Sequence, residues 1–117
     1  MSHPDVLDRA DLLWVGVDLD GTLAKKNWTQ ANPTSRIGEP IWANVGKVNV
    51  LAEHYKIVIH TSRPWTDYER IESWLEYYDI PWDNIQCGKP LYKAYIDDRA
   101  VTADSFNWLL AVESIDG

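Results

Sequence analysis

The chain has 117 residues, enough for one compact domain around a single core and too few for two. Its 18 acidic and 11 basic residues give a formal charge of -7, which argues against a general polyanion binder, because nucleic-acid affinity rests on Lys and Arg neutralising phosphates. Cys87 is the single cysteine, so there is no intrachain disulfide framework and no cysteine-rich zinc site, as suits a reducing cytosol.

The segment MSHPDVLDRAD lacks the basic-then-apolar pattern of a signal peptide, and no apolar run nears the roughly 20 residues that span a bilayer. The expectation is a soluble, cytoplasmic protein with no membrane partner, built as one domain over 1–117 with a loosely held tail at 1–10. The first element is Leu12 to Val17, LLWVGV, a nearly continuous apolar run that reads as a strand covered on both faces. A loop rich in Asn, Pro, Thr and Gly follows over 25–40. Ile41, Val45, Val48, Ala52 and Tyr55 recur at helical spacing and predict an amphipathic helix over 41–55. KIVIH at 56–60 reads as a second buried strand. From Thr66 onward, Ile71, Trp74, Leu75 and Tyr78 form one helical stripe. A short strand is expected at 85–87, another at Lys93 to Ile96, and a last helix over about 103–112. Strands alternating with helices imply an α/β domain with a mostly parallel sheet and helices on both faces.

In such a sheet, ligands bind beyond the carboxyl ends of the strands. The predicted strands end there in polar residues: Asp18 and Asp20, then Thr61, Ser62 and Arg63, then Asp97 and Asp98. Asp18 and Asp20, at i and i+2 of an extended segment, face one side, and Gly21 permits the sharp turn after them. Four carboxylates aimed at one place repel each other unless a cation lies between them, and an all-oxygen donor set favours magnesium.

Four stretches in order, DLDGT from Asp18 to Thr22, HTSRP around Thr61, GKP with Lys89 and IDDRA with Asp97 and Asp98, resemble the motifs of the haloacid dehalogenase-like superfamily, specifically its phosphatases. They span most of the chain. The resemblance implies a Rossmann-like three-layer fold and a two-step phosphoryl transfer. Asp18 would attack phosphorus and form an aspartyl-phosphate. Asp20 would protonate the leaving oxygen and then activate water. Thr61 would donate to a phosphoryl oxygen, with Thr22, Ser62 and Arg63 beside it as substrate-binding residues, and Lys89 would offset charge on nucleophile and phosphate. Asp18 and Asp20 (the latter through its main-chain carbonyl), Asp97 and Asp98 would form the magnesium site. An aspartate at position 20 resembles the phosphatases and phosphomutases within that superfamily. The 38 residues between Thr22 and Thr61 and the 27 between Thr61 and Lys89 leave no room for a cap domain. An uncapped site suits a phosphorylated small molecule such as a sugar phosphate or nucleotide, a phosphorylated polymer end, or a homo-oligomer whose neighbouring subunit covers the pocket.

Each motif also has a plainer reading. A calcium loop is excluded because Gly21 stands fourth from Asp18 and Thr29 occupies the twelfth place. A glycosyltransferase Asp-x-Asp site leaves Lys89, Asp97 and Asp98 unexplained. Thr61 alone reads equally as a helix cap. Lys93 competes with Lys89, Asp98 could pair with Arg99 or cap the last helix, His60 reads as a packed residue, and Lys25 and Lys26 read as a solvated pair, with contact to an anionic substrate as the alternative. Of the seven tryptophans, Trp14, Trp74 and Trp108 are expected in the core. Trp28 and Trp65, next to the first and second motifs, either stack on a ligand or pad the core or an interface. Two function classes follow: a magnesium-dependent phosphomonoesterase working through Asp18, and a non-catalytic domain that keeps the pocket to bind a phosphorylated partner.

Overall fold

The computed structural model describes residues 9–28, 31 and 36–115. A three-stranded sheet in the order β1 (Trp14–Val17), β2 (Lys56–His60), β3 (Asn84–Gln86) is parallel throughout, with Val17 opposite Ile59 and Ile59 opposite Ile85. Helix α1 (Trp42–Leu51) lies in the first crossover and α2 (Tyr68–Tyr77) in the second, the latter entered through a 3-10 turn at Trp65–Asp67. Helix α3 (Trp108–Glu113) follows a long irregular segment. The α/β class and the parallel sheet are as the alternation of elements predicts.

The core forms where two periodicities meet. Val17, Ile57, Ile59 and Ile85 point from the strands to one face at every second residue. Val45, Val48 and Leu51 of α1 and Ile71 and Leu75 of α2 return the same face at helical spacing, and all of them are buried in one cluster. Trp108 of α3 joins that cluster, with its indole N–H held by the Ala103 carbonyl at 3.0 Å. Tyr55 donates to the Glu113 carboxylate at 2.6 Å and ties α3 to the start of β2.

Several elements depart from expectation for local reasons. Cover on both faces is not what the described residues give: Trp14 and Gly16 of β1 and Asn84 and Gln86 of β3 are exposed on the other face. Trp14 is therefore not a core residue; its ring carries the Lys56 ammonium at 4.4 Å, an aromatic–cation contact that a surface strand can make. Lys93 to Ile96 is not a strand. It enters no ladder with β1, β2 or β3; the Tyr95 hydroxyl donates to the Pro90 carbonyl, Arg99 N–H to the Asp97 carboxylate, and Ile96 is fully exposed. The last helix starts at Trp108 instead of 103 because Asn107 caps it, accepting from Leu110 N–H at 3.0 Å. Helix α1 is shorter than 41–55 and closes through turns to Tyr55. Of the expected tail, residues 9–11 form a 3-10 turn; the rest, with part of the 25–40 loop, lies outside the described residues. Among the described residues no helix is long and apolar enough to cross a membrane.

Candidate active site

The turn after β1 explains how two carboxylates can follow a buried strand. Leu19 and Leu23 are completely buried, and the Leu19 carbonyl accepts from the N–H groups of Thr22, Leu23 and Ala24 at 2.9 to 3.1 Å. The two leucines anchor the turn in the core and leave Asp18 and Asp20 on its open side. Gly21, at φ 85°, takes the left-handed conformation that the turn demands. Asn44 of α1 donates to the Thr22 carbonyl at 2.8 Å and fixes the turn to the helix.

A cavity of about 140 Å³ opens here, bordered by Asp18, Asp20, Thr61 and Ser62 of the first two motifs and by Lys26, Trp28 and Leu91. Lys26 and Trp28 come from the loop after the Asp18–Thr22 turn. Leu91 comes from the segment after Lys89 and carries no signal in the sequence that would place it here. A wider open groove of about 620 Å³ lies among Asn49, Glu53, Asp79 and Trp82, away from the motif residues.

Burial raises the Asp18 carboxyl above its ordinary value; the Leu19 N–H at 2.8 Å and the nearby Lys89 pull it down, and Asp20 pushes it up. Lys89 and, more weakly, His60 are the basic groups that act on Asp18. The Lys89 main-chain N–H donates to the Thr61 carbonyl at 2.9 Å, so the strand pairing of β2 and β3 continues into the site and carries the lysine alongside the second motif. Gly88, at φ 78°, makes that continuation possible. Burial, then Lys89, lowers the imidazole pKa of His60, opposed by Asp18, which agrees with a packed neutral residue. Thr61 is buried and does not cap α2; its hydroxyl oxygen accepts from Arg63 N–H at 3.1 Å, which leaves the hydroxyl proton for an acceptor in the cavity.

Arg63 is the largest correction among the residues expected to bind substrate. It is wholly buried and takes no part in lining the cavity. Its guanidinium grips both oxygens of Asp20, each at 2.8 Å, and reaches Asp67 at 3.0 Å. Burial of the guanidinium works against its charge, and these hydrogen bonds outweigh it, so its pKa lies above the ordinary value. Asp67 in turn lies 3.8 Å from Arg70. The sequence offered no sign of Asp67, which sits where an ordinary helix-start aspartate would.

Thr22 stays in the turn and is not among the cavity residues. Asp97 and Asp98 are exposed in the irregular segment, and no group of three or more His, Cys, Asp or Glu that could hold a metal forms among the described residues. The four-carboxylate cluster is therefore not assembled. Trp28 is buried against the cavity, whereas Trp65 is half exposed, stacked on Tyr68 at 6.2 Å and close to Gly88.

No protein-family model matches the chain, and no curated protein matches it. A crystal structure of a structural-genomics target from Vibrio cholerae is similar, with 28% identity and a TM-score of 0.64 over 87% of this chain and 95% of that one. The likeness concerns the fold.

Proposed function

We propose that the protein is a phosphomonoester hydrolase of the haloacid dehalogenase-like type, dependent on magnesium and working through an aspartyl-phosphate at Asp18. The observation that carries this reading is the meeting of Asp18, Asp20, Thr61 and Ser62 around one small cavity, with Lys89 acting on Asp18.

In this reading Asp18, at the carboxyl end of β1, attacks phosphorus as its P–O bond to the leaving group breaks. The Thr61 hydroxyl donates to a phosphoryl oxygen, and Lys89 lowers the repulsion between the two anions. Asp20 delivers the proton to the leaving oxygen and takes one from the water that hydrolyses the intermediate. Because Arg63 occupies both carboxylate oxygens, that proton must use a lone pair the guanidinium leaves free. Arg63 and Asp67 thereby serve to hold Asp20 in one orientation.

Magnesium binds through one or two carboxylates and retains several waters alongside substrate phosphate. The Asp18 carboxylate and the Asp20 main-chain carbonyl fit that limited demand; Asp97 or Asp98 would add a ligand only if the irregular segment moved. When bound, the ion would supply charge neutralisation at the phosphoryl oxygens.

The non-catalytic reading also has a specific observation in its favour: the exposed Asp97 and Asp98 and the engaged Asp20 describe a pocket that could hold a phosphorylated partner without turnover. Phosphate release with and without magnesium, across sugar phosphates, nucleotides and phosphorylated oligonucleotides, decides between them. Magnesium-dependent release that is lost in Asp18→Asn supports the enzyme. Silence from folded protein supports the binding domain.

A further inference from the structure

Two lysines follow the nucleophile turn, and the fold uses them differently. Lys25 turns outward: its N–H donates to the Glu39 carbonyl at 2.8 Å and its ammonium lies 3.5 Å from the Glu39 carboxylate. Successive residues of an extended segment point to opposite sides, and Lys26 goes to the cavity. It borders the same space as Asp18 and Thr61, and its Cβ and Cδ each lie 3.9 Å from where a Cβ on Gly21 would stand. The stem is thus laid over the one residue of the turn that has no side chain.

Among the described residues Lys26 has no carboxylate counterpart. Asp20 and Asp67 are matched by Arg63 and Arg70. Lys89 and His60 act on Asp18 through space, and Lys26 is not among the groups that do. Among the described residues no carboxylate lies within 4.0 Å of the Lys26 ammonium. An exposed lysine is ordinarily a solvated charge. This one borders the cavity, while its sequence neighbour has a carboxylate of its own.

We propose that Lys26 is a specificity-determining residue that binds a carboxylate carried by the phosphomonoester close to its scissile phosphoryl group. The substrate class is then a phosphorylated hydroxy acid. The inference rests on the phosphatase reading and names the substrate of that site.

The test compares kcat/KM for 3-phosphoglycerate and glycerol 3-phosphate, which differ in a carboxylate against a hydroxymethyl group. The wild-type protein prefers the acid, and Lys26→Met lowers that preference about tenfold, the worth of one charge-assisted contact, with the loss falling on KM. Lys25→Met, at the residue paired with Glu39, keeps the wild-type preference. An equal preference in wild type and Lys26→Met overturns the proposal and leaves the phosphatase reading standing, as does an equal loss in Lys25→Met, which would reflect general charge. Absence of turnover by the wild type on both substrates and on p-nitrophenyl phosphate overturns the phosphatase reading and the proposal together.

Discussion

Removing the Arg63 guanidinium should be among the most damaging changes available to this domain. The side chain is fully buried, and it makes three hydrogen bonds of 2.8 to 3.0 Å to two carboxylates whose own side chains are only 8% exposed. Arg63→Met would leave Asp20 without its guanidinium and Asp67 with only the more distant Arg70, at 3.8 Å, and breaking a buried pair in this way costs about 3–5 kcal/mol. Against a total stability of roughly 5–15 kcal/mol, that is a large fraction. Arg63→Lys keeps the charge but loses the planar fork, so it should fall between the two. Urea unfolding of wild type, Arg63→Met, Asp67→Asn and the double variant measures both the cost and the coupling. The double variant should lose less than the sum of the singles, because the two residues share one network. A loss below about 1 kcal/mol in Arg63→Met, or strict additivity with Asp67→Asn, would refute the network reading.

Other expectations follow from single residues. Gly88→Ala places a side chain at φ 78° and 3.5 Å from the Trp65 indole nitrogen; it should cost about 1–2 kcal/mol in thermal unfolding and slow turnover by disturbing Lys89. Because the folded state raises the Asp18 pKa above its ordinary 3.8, the folded chain holds that proton more tightly than the unfolded one. The resulting cost to stability is absent below the unfolded value, grows as pH rises, and is complete above the folded value. In metal-free buffer Asp18→Asn should therefore melt above wild type at pH 7, with the gap closing toward acid pH; a constant gap would contradict the shift. Trp28→Ala should raise KM and lower stability by about 3–5 kcal/mol, as loss of a buried indole does; unchanged kinetics in the variant, measured where it is still folded, would remove Trp28 from the pocket. Cys87 is buried and its thiol pKa is raised by that burial and by Asp67, so alkylation in native buffer should be slow and should accelerate on unfolding.

The sequence made the central elements legible where a periodic apolar pattern coincided with burial. KIVIH is β2 as expected, and the Ile71 and Leu75 stripe is the buried side of α2. The candidate site was legible where a motif sits at a strand end, which is why Asp18, Thr61 and Ser62 meet. Long-range pairings were not. Arg63 reads as a cation beside the second motif, and only the fold reveals that Asp20 and Asp67 consume it. Trp14 reads as apolar, yet a strand with one open face can rest it against Lys56. Lys93 to Ile96 alternates like a strand, but it enters no ladder with β1, β2 or β3, and Ile96 is fully exposed. Lys26 and Leu91 had no motif of their own, because cavity walls are made by loops whose course depends on the whole fold.

The most direct test of Asp18 as nucleophile is an acid-quenched single turnover with magnesium and a hydrolysed substrate from the phosphate panel, followed by mass mapping of the peptide that contains it. A nucleophilic Asp18 carries a phosphoryl group in the wild type, with neither adduct nor phosphate release in Asp18→Asn. Phosphate release without any adduct, continuing undiminished in Asp18→Asn, would contradict that role.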